Sequence, residues 1–167
     1  MGMFTEHRKE ITWGGRKLVL ETGKIDPENV VEIGIRSNRS ALQELGLAES
    51  LGVRVVTIDE VKERGIAAVV QEAIERATRG SQGLYVSLDI DCMEPSAVPS
   101  QKAPEIWGMT VDELFYALRA LARQEVIGFD VCEYSADYDI NGMGAQFCAR
   151  TVVEMLGGLV LRKRGER

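Results

Sequence analysis

Hydrophobic positions along most of this chain alternate between two spacings, and the alternation predicts strands that are each followed by a helix. Short apolar runs rich in β-branched residues predict strands. Apolar residues spaced three and four apart predict amphipathic helices. The predicted strands are 30–36, 53–58, 84–90 and 126–132, and the predicted helices are about 40–52, 59–80, 110–121 and 144–162. Such an order implies a three-layer α/β/α fold with a parallel sheet.

Local signals mark where several of these elements begin. Thr110 and Glu113 form the Thr-x-x-Glu pattern of a capping box. Asp59 is the expected cap of the helix after the second strand, and Asn38 or Ser40 is the expected cap of the first helix. Before the regular part of the chain, the glycines at 14 and 15 indicate a turn that leads into a short strand at residues 17–20.

The stretch from Gly83 to Gly108 carries the clearest chemical signal. It reads GLYVSLDIDCMEPSAVPSQKAPEIWG, and Asp89 and Asp91 stand where its strand is predicted to end. The two-residue spacing of a strand places both carboxylates on one face. Such close carboxylates repel each other unless a cation neutralises them, and oxygen ligands suit Mn²⁺ or Mg²⁺. The alternative is that both aspartates cap the following loop, since Asp is a common turn residue.

A third carboxylate is expected at the same edge of the sheet. The carboxyl ends of parallel strands meet at one edge, and ligand sites of open α/β sheets lie there. Glu133 follows the fourth predicted strand directly. A carboxylate at a strand end can also be a solvated surface group, so the shared edge alone leaves both interpretations open.

The motif after the third strand resembles the signature of the ureohydrolase family, the arginases, agmatinases and their relatives. Its fixed positions are matched by Ser87, Asp89, Asp91, Pro95, Pro99, Ser100 and Gly108. The chain departs from the family pattern at Glu94, where most relatives carry Asp, and at residues 100–103, which replace a turn of Gly-Thr-Gly type. The resemblance implies an arginase-like fold, two Mn²⁺ ions and hydrolysis of a guanidinium compound to urea and an amine.

The same resemblance implies roles for individual residues. Asp89 would bridge both metals and Asp91 would bind one of them. The stretch FDVCE, which ends at Glu133, is similar to a second family motif whose acidic residue binds the substrate guanidinium. A carboxylate can pair with a planar guanidinium through two parallel hydrogen bonds. Tyr138 and Asp139 are more similar to agmatinases than to arginases. No catalytic residue is assigned within this chain.

The resemblance covers about residues 25–162 and only the later half of the family's chain. The family's other ligands lie in Gly-Gly-Asp-His-Ser and Asp-Ala-His-x-Asp segments, and neither segment occurs here. His7 is the only histidine and is expected on the surface. We therefore expect residues 1–167 to form a single domain that is similar to a C-terminal ureohydrolase half. Its partner would be a missing N-terminal half or further copies of itself, and the chain alone is expected to be inactive.

Composition limits the remaining possibilities. The net charge of −6 argues against a nucleic-acid partner. The sequence contains no apolar run of about 18 residues, so no membrane span is expected. No secretory signal is expected either. The three cysteines show no metal-ligand spacing, which favours reduced thiols and a cytoplasmic location.

Two other functions fit parts of the sequence. The first is a non-catalytic ureohydrolase remnant or subunit that acts in binding or assembly. The second is a phospho-receiver domain, which also carries acidic residues at strand ends. A receiver has its acidic pair after the first strand and a lysine after the last. Here the pair follows the third clear strand and Glu133 follows the fourth. This placement disfavours the receiver.

Overall fold

The computed structural model describes residues 7–22, 25–36 and 42–165. Within these ranges strands and helices alternate after an initial hairpin. The strands are β1 (His7–Trp13), β2 (Arg16–Thr22), β3 (Val31–Ile35), β4 (Arg54–Thr57), β5 (Leu84–Asp89) and β6 (Val126–Cys132). The helices are α1 (Leu42–Ser50), α2 (Ile58–Arg64), α3 (Ile66–Ala77), α4 (Val111–Ala122) and α5 (Met143–Arg164).

The first two strands form an antiparallel hairpin in which His7 pairs with Thr22 and Trp13 pairs with Arg16. Gly14 and Gly15 occupy its turn, both with positive φ. This combination matches the twist of a two-residue hairpin and favours glycine at both positions. The strand predicted at residues 17–20 is part of β2, whereas β1 was not predicted.

The four remaining strands are parallel, as expected, but they form two pairs within the described residues. β3 pairs with β4, and β5 pairs with β6. No described backbone hydrogen bond joins the first pair to the second. The expectation of one continuous four-stranded sheet is therefore wrong for this part of the chain, although the α/β class with parallel strands is confirmed.

The helix boundaries confirm one cap and correct another. Thr110 accepts from the N–H of Glu113, whose carboxylate accepts from the N–H of Thr110, so the predicted capping box is present. Thr57, rather than Asp59, caps α2 by accepting from the N–H of Glu60. The predicted helix 59–80 is divided at Gly65 into α2 and α3. Asn38 and Ser40 lie outside the described residues.

One hydrophobic cluster joins both pairs of strands to the helices. Its buried members come from β4, β5, the segment after β5, and helices α2 to α5. They are Val56, Ile58, Val61, Val69, Leu88, Ile90, Met93, Val98, Met109, Leu114, Leu118, Ala122 and Met155. The segment after β5 thus belongs to the core and is held in place by it. Among the described helices, none is long and apolar enough to span a membrane.

Candidate functional site

Asp89 is the last residue of β5, and the β-sheet fixes its position. It lies opposite Cys132 in the parallel register with β6. Its carboxylate accepts a hydrogen bond from the N–H of Asp91 at 2.8 Å and so caps a short 3-10 helix, Ile90–Cys92. The loop-capping alternative is therefore correct for one contact of Asp89.

Asp91 lies within this 3-10 helix and not on the strand. The prediction that strand alternation places both aspartates on one face is wrong, because β5 ends at Asp89. The turn instead brings the backbone of Asp91 to the carboxylate of Asp89. Oδ2 of Asp91 accepts from the N–H of Ala103 at 3.1 Å, whereas Oδ1 is buried without a hydrogen-bond partner. A buried oxygen without a donor is suited to a cation.

Burial, together with neighbouring negative charges, disfavours the ionised forms of the two aspartates. Partial burial is the largest cause that raises the pKa of Asp89 and of Asp91 above the ordinary value. The negative charge of Glu133 raises both pKa values further, and the charge of Asp91 adds to the shift at Asp89. The guanidinium of Arg36 opposes these effects. The three carboxylates thus lie close enough to interact, and a cation would relieve their repulsion.

Glu133 reaches this region because the segment after β6 pairs with the loop that follows Pro99. The N–H of Ser135 donates to the carbonyl of Ser100 at 2.8 Å, and the N–H of Lys102 donates to the carbonyl of Glu133 at 3.2 Å. Glu133 is exposed and has a positive φ of 62°. This backbone conformation is uncommon for a residue with a Cβ and is found preferentially at functional sites. The structure therefore brings all three predicted site residues to the same edge.

Sequence reasoning missed Arg36, which follows β3. Its guanidinium donates to the carbonyls of Cys92, Met93 and Glu105 at 2.7, 2.9 and 2.7 Å. These bonds hold the 3-10 helix and the long loop together, beside the aspartates. The only sequence signal for a role of Arg36 was its position directly after β3, the first parallel strand. Its three carbonyl partners are distant in sequence and become visible only in the fold.

The motif residue Ser87 and its neighbour Tyr85 on β5 share one carboxylate of β6 as their partner. Ser87 donates to Asp130 Oδ1 at 2.8 Å, and Tyr85 donates to Asp130 Oδ2 at 2.5 Å. These contacts link β5 to β6 on the exposed face of the pair, and Ser87 and Asp130 lie opposite each other two register steps before Asp89 and Cys132. The Tyr85 and Ser87 hydroxyls lower the pKa of Asp130, so this carboxylate is occupied by protein donors.

Gly108 explains one fixed position of the motif. A Cβ at this residue would overlap the backbone of Met93 and Glu94. The close approach also lets the Gly108 N–H donate to Glu94 Oε2 at 2.9 Å. Glu94, one of the departures from the family pattern, thus serves to close the long loop.

The residues present provide only part of a metal shell. Asp89 and the free Oδ1 of Asp91 are suitable oxygen ligands for a hard cation. The described residues contain no group of three or more His, Cys, Asp or Glu side chains arranged to hold a metal. His7 is exposed on the hairpin, as expected, and all three cysteines are free. Burial raises the pKa of the Cys92 thiol to about 12, so this thiol remains protonated.

Parallel strands with paired carboxylates at one edge define an α/β protein with a candidate cation site. A family model described as "Arginase family" matches residues 2–157 of this chain. This chain belongs to the arginase family. The match begins at residue 2, whereas the resemblance was expected to begin at about residue 25.

Individual relatives agree with this assignment. The chain is 34% identical over 137 residues to guanidinopropionase of Pseudomonas aeruginosa, which is 82% of this chain and 42% of that protein. It is 32% identical to an agmatinase of Proteus mirabilis over 80% of this chain and 40% of the relative. The solved structure of proclavaminate amidinohydrolase from Streptomyces clavuligerus matches 83% of this chain and 45% of its own, with a TM-score of 0.72 and 34% identity. The chain thus spans about two fifths of the length of these curated relatives.

Proposed function

We propose that this chain forms part of a manganese-dependent ureohydrolase that converts an agmatine-like guanidino compound to urea and an amine. The observation that carries the proposal is the meeting of Asp89, Asp91 and Glu133 at one edge of the β5–β6 pair. Membership of the arginase family and relatives named as hydrolases of guanidino compounds support it.

The three carboxylates have separate roles in this proposal. Asp89 and Asp91 would hold the metal, with Oδ1 of Asp91 as the oxygen that has no protein donor. When bound, two Mn²⁺ ions would supply the Lewis acidity that activates water at neutral pH. Glu133 pairs with the guanidinium and orients its central carbon toward the aspartates. The water oxygen then becomes the carbonyl oxygen of urea, and the amine leaves with a proton.

The fold supports this division of roles. One backbone hydrogen bond at Glu133 and one at Ser135 fix the segment after β6 to the loop that also holds Asp91 through the N–H of Ala103. Arg36 holds the start of the same loop by donating to the carbonyls of Cys92 and Met93. Positioning of this kind matters because small misplacements of a bound substrate reduce rates by orders of magnitude.

One observation favours a second function, that of a non-catalytic subunit. The described residues contain no cluster of three side chains able to hold a metal, so the two aspartates need ligands from elsewhere. A chain that acts only in binding or assembly would retain the fold without completing this shell.

Reconstitution separates the two functions. The chain would be co-expressed with the part of Pseudomonas aeruginosa guanidinopropionase that the match leaves uncovered, and urea would be measured with Mn²⁺ and agmatine, arginine or 3-guanidinopropionate. We expect urea from the pair and none from the chain alone. Loss of urea in Asp89→Asn and in Glu133→Ala would support the catalytic role. A stable pair that releases no urea from any of the three substrates would favour the binding role.

A further inference from the structure

Lys102 lies directly opposite Glu133, where the long loop pairs with the segment after β6. An isolated antiparallel bridge joins Gln101 to Tyr134, and the N–H of Lys102 donates to the carbonyl of Glu133 at 3.2 Å. Residues opposite each other in an antiparallel pair project from the same face, with Cβ atoms about 5 Å apart. Lys102 and Glu133 are both exposed, whereas Gln101 is buried. The site therefore presents two opposite charges side by side.

The ammonium group of Lys102 is available to a ligand. Among the ion pairs formed by the residues that the structure describes, none includes Lys102. Arg36, the cation that acts on both aspartates, is occupied by backbone carbonyls. Lys102 also lies within residues 100–103, where the chain departs from the family pattern. A lysine has three donors and no acceptor, so the complementary ligand group is an anion such as a carboxylate.

A nearby carboxylate that could suit an amine is already occupied. Asp139 is one of the two residues that are more similar to agmatinases. Its carboxylate accepts from the N–H groups of Gly144 at 2.8 Å and Ala145 at 3.1 Å. It also accepts from the hydroxyl of Tyr134 at 2.8 Å. Asp139 therefore fixes the start of α5 and does not select a ligand with a cationic end.

We propose that the site takes short guanidino acids, whose guanidinium pairs with Glu133 and whose carboxylate pairs with Lys102. Such a molecule carries its two opposite charges two or three methylenes apart, which suits side chains that start about 5 Å apart. An amine-ended compound brings a second cation to Lys102, and like charges repel. Lys102 is thus a specificity-determining residue. The inference rests on the proposed function for the guanidinium at Glu133 and replaces the amine at the other end of the substrate with a carboxylate.

The test compares three ligands that share the guanidinium and differ at the other end. They are 3-guanidinopropionate with an anionic end, propylguanidine with an uncharged end and agmatine with a cationic end. Each is titrated into the full chain at low ionic strength without metal, and Kd is obtained from the amide signals of residues 102 and 133 in ¹H–¹⁵N spectra. Binding is measured without turnover, so the result does not depend on urea release.

Two variants of Lys102 and one control isolate its charge. Lys102→Met should weaken 3-guanidinopropionate about fivefold, the effect of one exposed charge pair. The same variant should leave propylguanidine unchanged and tighten agmatine. Lys102→Arg keeps the charge and should bind 3-guanidinopropionate within about twofold of the wild type. Arg123→Gln, at the exposed C-terminal end of α4, removes one positive charge elsewhere and should change none of the three affinities.

Several results would overturn the inference. In Lys102→Met, equal changes for all three ligands would mean that Lys102 acts by pairing internally with Glu133. Absence of 3-guanidinopropionate binding by the wild type, or equal weakening in Arg123→Gln, would also overturn it.

Glu133→Gln separates this inference from the proposed function. If Glu133→Gln weakens all three ligands and Lys102→Met has no effect, the inference fails and the proposed function stands. If Glu133→Gln changes none of the three affinities while Lys102→Met weakens only 3-guanidinopropionate, the guanidinium assignment of the proposed function fails. The assignment of Lys102 to the carboxylate then stands.

Discussion

The backbone N–H of Lys102 donates a hydrogen bond to the carbonyl oxygen of Glu133 at 3.2 Å. One residue beyond Lys102, the N–H of Ala103 donates to Asp91. A single short segment therefore sets the position of the candidate substrate-binding carboxylate relative to a candidate metal ligand. Changes in this loop should therefore alter the positions of both carboxylates. The loop includes residues 100–103, where the chain departs from the family pattern.

Replacing Gly108 tests how tightly the long loop is packed. In Gly108→Ala the new methyl group would overlap the backbone of Met93 and Glu94, so backbone must shift. We expect a loss of about 2–3 kcal/mol in the free energy of unfolding, measured by guanidinium chloride denaturation. Gly46→Ala is the control, because its Cβ meets nothing within 4 Å and alanine favours a helix by about 0.5–1 kcal/mol. Equal stability of Gly108→Ala and the wild type would contradict the close approach.

The contact between α4 and α5 predicts a dependence of stability on pH. Arg119 and Arg150 lower the pKa of Glu154 from the ordinary 4.5 to about 2. A carboxyl group with a lowered folded-state pKa stabilises the fold above its unfolded pKa, and this contribution is lost as the pH falls from about 4.5 toward 2. Because both arginines are mostly exposed, the gain is modest.

Glu154→Gln should therefore lower Tm by a few degrees at pH 7, and the difference from the wild type should shrink near pH 2–3. Differential scanning calorimetry at both pH values measures this. Glu63→Gln, an exposed carboxylate on α2, controls for the loss of one negative charge. A Tm difference for Glu154→Gln that is the same at pH 7 and pH 2.5 would exclude the ion pairs as its cause.

Much of the fold could be predicted because local signals and tertiary structure agree. The capping box of Thr110 and Glu113 is present, and β6 has the predicted bounds 126–132. The strand β1 was missed because charged residues such as Arg8 and Glu10 obscure its alternation. The division of the second predicted helix was also missed, although Gly65 stands at the break.

The candidate site was predicted by residue but not by geometry. Asp89, Asp91 and Glu133 meet as the strand ends suggested, yet Asp91 is placed by a 3-10 turn that periodicity does not reveal. The role of Arg36 depends on carbonyls more than 50 residues away. Contacts of that range arise from the packing of loops, and no local pattern in the sequence records them.

Manganese titration of the isolated chain tests whether the aspartates retain a metal site. Two carboxylates leave most coordination positions to water, so we expect weak binding, with Kd on the order of 10⁻⁴–10⁻³ M. Asp89→Asn keeps an oxygen that can accept from the N–H of Asp91 and removes the charge, and it should abolish the binding heat. Asp112→Asn, in the first turn of α4, is the matched control. Identical calorimetric isotherms for the wild type and Asp89→Asn would show that no site exists at these residues.

The most direct test of the account is the rate of urea release by the reconstituted pair carrying Glu133→Gln. Glutamine keeps the size of the side chain and removes the charge that pairs with the guanidinium, while Asp89 and Asp91 stay in place. Loss of one partner of a charge pair costs about 2–5 kcal/mol, so kcat/KM should fall by at least about 30-fold with Mn²⁺ content unchanged. Urea release at the wild-type rate by Glu133→Gln would contradict the assignment of Glu133 as the substrate-binding carboxylate.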